Sequence, residues 1–295
     1  MTATRITQAM IDLYDRFTHG DGSASRRDLI AGLARLAGGV AAATAVLPMI
    51  EARAAAATLI DPADPRLVAA DVRFPGAAGR AMAGYLVHPA KGAAGLPRAL
   101  VIHENRGLTG HIRDVTRRLA LAGFVALAPD FLAPLGGTPA AADGADDIAR
   151  TMIGKLDRDA AVADGVAALA WLVAQPQGKG APGAVGFCWG GGMVNALAVA
   201  AGGALRAGVA YYGPAPDAAG AARIKARMLL HYAGLDDRIN AGGPAWQAAL
   251  QAAGVRYEAQ TYAGVNHAFN NDTSEARYDK AAADLAWWRT LAWLK

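Results

Sequence analysis

The sequence predicts an α/β fold, a mostly parallel sheet covered by helices on both faces. Three observations predict it. Short apolar runs alternate with helix-spaced stretches from about residue 99 onward, the pattern of a parallel sheet with crossover helices. The first of these runs, Ala99–His103, is apolar almost throughout, as a strand buried on both faces requires. The third is a Gly-rich turn that follows one such run and opens a helix.

In chain order, Val68–Phe74 and Met82–His88 are short runs joined through Pro75, Gly76 and Gly79, and they read as an antiparallel hairpin. After the strand Ala99–His103, residues 111–122 have helical spacing and stop at Gly123, a C-cap residue. Phe124–Ala128 is the next strand, ended by Pro129. Residues 130–150, rich in Pro, Gly, Ala and Asp, read as a long loop with a short helix, a candidate cap over a site. Asp157–Val173 is helical, with Val162, Val166, Leu169 and Leu172 on one stripe. Gly183–Phe187 is a strand and Gly190–Ala201 a helix. Ala207–Tyr211 and Met228–Tyr232 are strands, Pro244–Ala253 a helix, Tyr257–Tyr262 a strand and Glu275–Leu294 a long terminal helix.

Apolar residues make up 54% of the 295, ample for a buried core. The formal charge is +4 and the basic residues form no stripe, which argues against nucleic-acid binding. A single cysteine rules out an intramolecular disulfide and a cysteine-rich metal site. No metal or organic cofactor is implied, and a monomer is expected.

Residues 1–54 are expected to be an export leader. Ser25-Arg26-Arg27 precedes an apolar, Ala- and Gly-rich stretch from about Ala31 to Ile50, and Ala52-Arg53-Ala54 has the spacing of a cleavage site. Paired arginines before a modestly apolar segment are a twin-arginine pattern, recognised by machinery that exports folded proteins. Asp28 and Arg35 do not fit that pattern. The alternatives are an ordinary helix of the fold or a retained membrane anchor, since about 20 residues suffice to span a bilayer. On the leader reading, the mature domain is 55–295 and works in the periplasm or outside the cell, with no stable membrane insertion.

Gly186-Phe187-Cys188-Trp189-Gly190 follows a strand and opens a helix. This is the nucleophile-elbow spacing with Cys at its centre. A strained turn lifts the nucleophile clear of the sheet, and its neighbours two positions away must be nearly free of side chain. The helix N-terminus beneath it favours a thiolate. The alternative is a buried structural cysteine in a Gly-rich turn. A cysteine nucleophile needs a base and the base an orienting acid. Asp236 and Asp237 follow the strand Met228–Tyr232, and His267 follows the last strand. Parallel strands put these loops at one sheet edge with Cys188. Of the other histidines, His19 lies in the leader. His88, His103, His111 and His231 fall on strands or helix starts, where structural roles are expected.

In four segments the chain resembles the dienelactone hydrolase family, cysteine members of the α/β-hydrolase fold. They are His103-Glu104-Asn105-Arg106-Gly107, Gly186-Phe187-Cys188-Trp189-Gly190-Gly191, Gly234-Leu235-Asp236 and His267-Ala268-Phe269. The resemblance covers roughly residues 65–295. It implies Cys188 as nucleophile, His267 as general base and acid, and Asp236 rather than Asp237 as the orienting carboxylate. It implies that Glu104 contacts the resting thiol. Backbone N–H groups of Trp189 and Asn105 would form the oxyanion hole, and the substrate would be a small ester or lactone; the alternatives are a general carboxylesterase, thioesterase or acyltransferase on the same three residues, or a non-enzymatic periplasmic binding protein. The family holds a substrate carboxylate with an arginine four residues after the histidine. Here that position is Asn271, so Arg106, Arg158 or Arg277 would have to substitute.

Overall fold

The computed structural model describes residues 6–19, 25–50, 59–92, 94–140 and 144–295. Three helices come first: α1 (Gln8–His19), α2 (Arg26–Ala37) and α3 (Val40–Ile50). The hairpin β1 (Leu67–Pro75) and β2 (Ala81–Pro89) follows, then β3 (Arg98–Ile102), α4 (Gly110–Leu121) and β4 (Val125–Asp130). Next are α5 (Ala145–Gly154), α6 (Arg158–Val173), β5 (Gly183–Phe187), α7 (Trp189–Ala201) and β6 (Ala207–Tyr211). The chain ends with β7 (Arg227–Ala233), the one-turn α8 (Asp237–Asn240), α9 (Gly243–Ala252), β8 (Tyr257–Tyr262) and α10 (Lys280–Leu294).

The strands form one sheet in the order β1-β2-β4-β3-β5-β6-β7-β8. From β4 to β8 across the sheet every pair is parallel; β2 is antiparallel to both neighbours. Every residue of β3, β4, β5 and β6 is buried, so side chains alternate between two cores rather than between core and solvent. Ala99 and Val101 join one core with Ile112, Val115 and Leu119 of α4 and Ala286 and Leu294 of α10. Leu100 and Ile102 join the other, with Leu169 and Leu172 of α6, Leu197 of α7 and Trp246 of α9. Truncating a fully buried leucine such as Leu119 to alanine removes about 2–5 kcal/mol of stability. After β3 the chain places β4 on one side and β5 on the other. The order of strands therefore reverses between β3 and β5, the place where an open α/β sheet leaves a crevice at its carboxyl edge.

Within the sheet domain the structure refines the sequence reading. The terminal helix starts at Lys280, not Glu275. Asp279 caps it by accepting the Ala282 N–H at 2.8 Å, while Ser274–Arg277 turn back on the loop after β8. The short helix expected in the Pro- and Gly-rich region after β4 is α5, whose Arg150, Ile153 and Gly154 face Cys188 across a cavity.

The helices α1, α2 and α3 bury their own small core: Met10, Tyr14, Leu29, Leu33, Ala43, Val46, Leu47 and Ile50, with Ala276 of the sheet domain packed against it. The α2 and Val40–Leu47 axes bend by 109° at Gly38–Gly39. Among the described residues no single helix is long and apolar enough to cross a membrane; that bent pair passes by length and composition only. The Ala52-Arg53-Ala54 segment lies outside the described residues.

Candidate active site

The turn between β5 and α7 is built as its glycines require. Cys188 sits at φ 56°, ψ −117°, a conformation side chains rarely adopt and one that stores about 1–3 kcal/mol of strain. A Cβ on Gly186 would come within 2.2 Å of the Gly190 carbonyl oxygen. A Cβ on Gly190 would come within 2.4 Å of the carbonyl oxygens of both Ile102 and His103. The strained turn is held by two backbone bonds. The Cys188 N–H donates to the Tyr211 carbonyl at 3.0 Å, and the Gly192 N–H donates to the Cys188 carbonyl at 3.1 Å.

The loops after β7 and β8 are tied together. The Gly234 N–H donates to the Tyr262 carbonyl at 2.8 Å, and the Leu235 N–H to the Val265 carbonyl at 3.0 Å. Asp236 caps α8, its Oδ1 accepting the Ile239 N–H at 3.3 Å. Its Oδ2 lies 2.5 Å from Nδ1 of His267, and both side chains are buried. Asp237 points to solvent, which separates the two aspartates that the sequence offers for this position. Burial alone would depress His267. The Cys188 charge, hydrogen bonds to Asp236 and Cys188, and the Asp236 charge outweigh it and raise the imidazole to about 10. Burial would raise Asp236, but its bond to His267 and the charges of His267 and Arg238 hold it below the usual carboxylate value.

Cys188 lies between two cavities. One, about 20 Å³, is lined by Tyr14, Glu104, Arg106, His267, Asn271 and Arg277, among others. The other, about 330 Å³, is lined by Arg150, Ile153, Trp189, Tyr212, Pro214 and Ile239, with Asn105 and His267 shared between the two. Trp189 opens α7, where first-turn N–H groups have no partner within the helix. It and Asn105 therefore border the same space above the thiol.

Cys188, His267, Glu104, Asn105, Arg106, Asn271 and Arg277 thus come together, with Asp236 behind the histidine. Arg158 does not; it is exposed on the first turn of α6. Asn271 differs from a plain substrate contact. Its Nδ2 donates to Glu104 Oε2 at 2.8 Å, and its Oδ1 accepts from the Thr273 N–H and hydroxyl at 3.0 and 2.7 Å. Its amide is therefore engaged within the protein and holds Glu104 in place. Arg106 donates through Nη2 to the Tyr14 hydroxyl at 2.8 Å and lies 3.5 Å from Asp146.

The other histidines have structural partners. His103 Nδ1 is 2.6 Å from the Glu104 carbonyl, its Nε2 accepts the Phe131 N–H at 3.1 Å, and its ring stacks on Trp189. His231 lies between Tyr262 and Thr290, and burial together with the Arg289 charge pushes it down to about 3. His111 meets Asp272 at 3.0 Å, and His88 bonds the Pro89 carbonyl. Among the described residues no group of three or more His, Cys, Asp or Glu could hold a metal ion.

Two site residues escaped the sequence reading. Tyr212 packs its ring 4.8 Å from that of His267 at φ 36°. Its place directly after β6, at the sheet edge that carries Cys188, was the available signal. Tyr14 comes from a segment read as a leader, and no local pattern marks it.

Comparison with known proteins agrees with this geometry. Residues 82–295 match the dienelactone hydrolase family. The chain belongs to the dienelactone hydrolase family. It is 31% identical over 251 residues to the "Putative carboxymethylenebutenolidase" of Escherichia coli O157:H7, spanning 81% of this chain and 91% of that protein. A crystal structure titled "Putative Dienelactone Hydrolase" from Klebsiella pneumoniae subsp. pneumoniae MGH 78578 is 28% identical. It superposes with a TM-score of 0.68 over 77% of this chain and 98% of that one. Brefeldin A esterase, a bacterial homologue of human hormone sensitive lipase, shares the fold at 15% identity. Its TM-score is 0.65, over 97% of this chain and 92% of that one.

Proposed function

We propose that this hydrolase cleaves esters or lactones through a thioester on Cys188. The Cys188 proton passes to His267, whose imidazolium the Cys188 and Asp236 charges favour, and the sulfur then attacks the substrate carbonyl. The tetrahedral oxyanion lies against the N–H groups of Trp189 and Asn105. As the intermediate collapses, His267 gives its proton to the departing alcohol oxygen. Water then attacks the thioester with His267 again as base, the carboxylic acid leaves, and the proton returns to sulfur. Asp236 fixes the histidine ring and stabilises the imidazolium.

The observation that carries this reading is the alignment of a strained Cys188, a His267 raised by the thiol and a carboxylate, and a buried Asp236 2.5 Å behind it. A structural cysteine has no need of that order. Glu104, held by Asn271, lines the same small cavity as the thiol; its charge opposes a second negative charge there, and a thiolate left exposed between turnovers oxidises readily. Faster inactivation of Glu104→Ala than of wild type by peroxide supports that restraint; equal rates refute it.

The test of the activity is turnover on a panel of p-nitrophenyl esters, simple lactones and dienelactone, with Cys188→Ala as control. Hydrolysis by wild type that is lost in Cys188→Ala is the expected result. An inert wild type across the panel overturns the proposal. Turnover of dienelactone itself decides the carboxymethylenebutenolidase activity in the name of the Escherichia coli relative.

A further inference from the structure

The N-terminal helices touch the site. Tyr14 of α1 accepts from Arg106, and its ring lies 4.8 Å from the Arg277 guanidinium. Gln8 donates to Asn266, the neighbour of His267, at 2.6 Å. The Ile50 carbonyl, at the end of α3, accepts from Ser274 at 3.2 Å and Arg277 at 3.4 Å. On the α5 side, Arg26 pairs with Asp147 at 3.0 Å, and Arg150 stands 4.5 Å from the centre of the Phe17 ring.

The residues that fit a leader poorly have roles here. Ser25 and Asp28 form a reciprocal capping box at the start of α2, so Ser25-Arg26-Arg27-Asp28 is a helix-start signal as much as a twin-arginine pattern. Arg35 lies exposed in the last turn of α2, the end where a cation favours the helix dipole. Gly38, at φ 84°, ends that helix in the left-handed cap conformation. Buried positions fall at 29 and 33, and at 43, 46, 47 and 50, the spacing of amphipathic helices packed on a core. The match to brefeldin A esterase spans 97% of the chain, a range that includes these helices, whereas the match to the Klebsiella structure spans 77%.

We propose that α1–α3 are a retained roof of the working enzyme and that Tyr14 is its specificity-determining residue. Tyr14 closes the Arg106 side of the thiol, leaving about 20 Å³, room for roughly one water-sized group. A growing acyl chain therefore meets Tyr14 there, while a flat leaving group lies in the 330 Å³ cavity toward Trp189 and Tyr212. The specificity role rests on the hydrolase reading; the retention of the roof does not.

Two measurements on the full chain test the two parts separately. The first compares kcat/KM for p-nitrophenyl acetate and octanoate. Wild type and Tyr14→Phe, which keeps the ring, should favour acetate by about tenfold or more, and Tyr14→Ala should erase most of that preference. A preference unchanged in Tyr14→Ala overturns the role of Tyr14. The second needs no turnover: intact mass and hydrogen exchange of protein recovered from an export-competent bacterium. Retention of residues 8–50, with α1 amides exchanging as slowly as those of α4, supports the roof. A chain starting near residue 55, or α1 amides exchanging at the rate of unfolded peptide, overturns it. If wild type cleaves no ester, the hydrolase reading and the role of Tyr14 fall together, and the second measurement still decides the roof.

Discussion

The two walls around Cys188 are built differently. The sheet wall consists of loops leaving β3, β5, β7 and β8, each position fixed by strand register and by backbone bonds between loops. The helical wall is a small separate core joined to the domain by side-chain contacts such as Tyr14 to Arg106 and Gln8 to Asn266. Cys188, His267 and Asp236 all sit on the first wall. Chemistry that fails with ångström misplacement belongs on register-fixed backbone, whereas the wall held by side chains can vary in shape without disturbing the reaction.

If that division holds, changes to the sheet wall lower kcat, and changes to the helical wall alter selectivity. The largest effect should come from Cys188→Ala, lowering kcat by at least about a thousandfold on any ester that wild type cleaves. His267→Gln should lower it by about 10²–10⁴-fold. The same variant tests the electrostatics through thermal melts across pH. His267 is raised above its ordinary 6.5, so its stabilising contribution is complete below pH 6.5 and is lost as pH rises through about 10. Asp236 is depressed, so its contribution is complete above its ordinary 3.8 and is lost on acidification below that. The melting-temperature gap between wild type and His267→Gln should therefore be widest between about pH 4 and 6.5. It should narrow toward pH 10.

Gly190→Ala should destabilise the protein by about 1–3 kcal/mol, because its methyl would press on two carbonyl oxygens at 2.4 Å. Denaturant titration measures this. A smaller change is expected for Asn271→Ala, which frees Glu104: about a tenfold drop in kcat, with KM nearly unchanged, since Asn271 acts through Glu104 rather than on substrate. A large rise in KM would instead make Asn271 a substrate contact.

The sheet wall was legible in the sequence because its signals are local. Gly186 and Gly190 are imposed by backbone clashes, Asp236 and His267 by their place at the carboxyl ends of neighbouring strands. The hairpin and every strand from Ala99 onward could be read from runs and turn residues. The packing of α1–α3 was not legible, for a physical reason. An Ala-rich amphipathic helix with a Ser-x-x-Asp cap shares its letters with an export signal. Whether Leu29, Leu33 and Val46 find partners depends on helices elsewhere in the chain, which no local pattern shows. The role of Asn271 was hidden likewise. Its bond to Glu104 joins residues 167 apart, and only the fold brings them together.

The most direct test of the central claim is the covalent intermediate. Protein mixed with p-nitrophenyl acetate, quenched in acid before turnover is complete and examined by mass spectrometry, should carry one acetyl group. That group should map to the peptide containing Cys188 and be absent from Cys188→Ala. Release of p-nitrophenol at the same rate from wild type and Cys188→Ala, with no acetyl on Cys188, would contradict it.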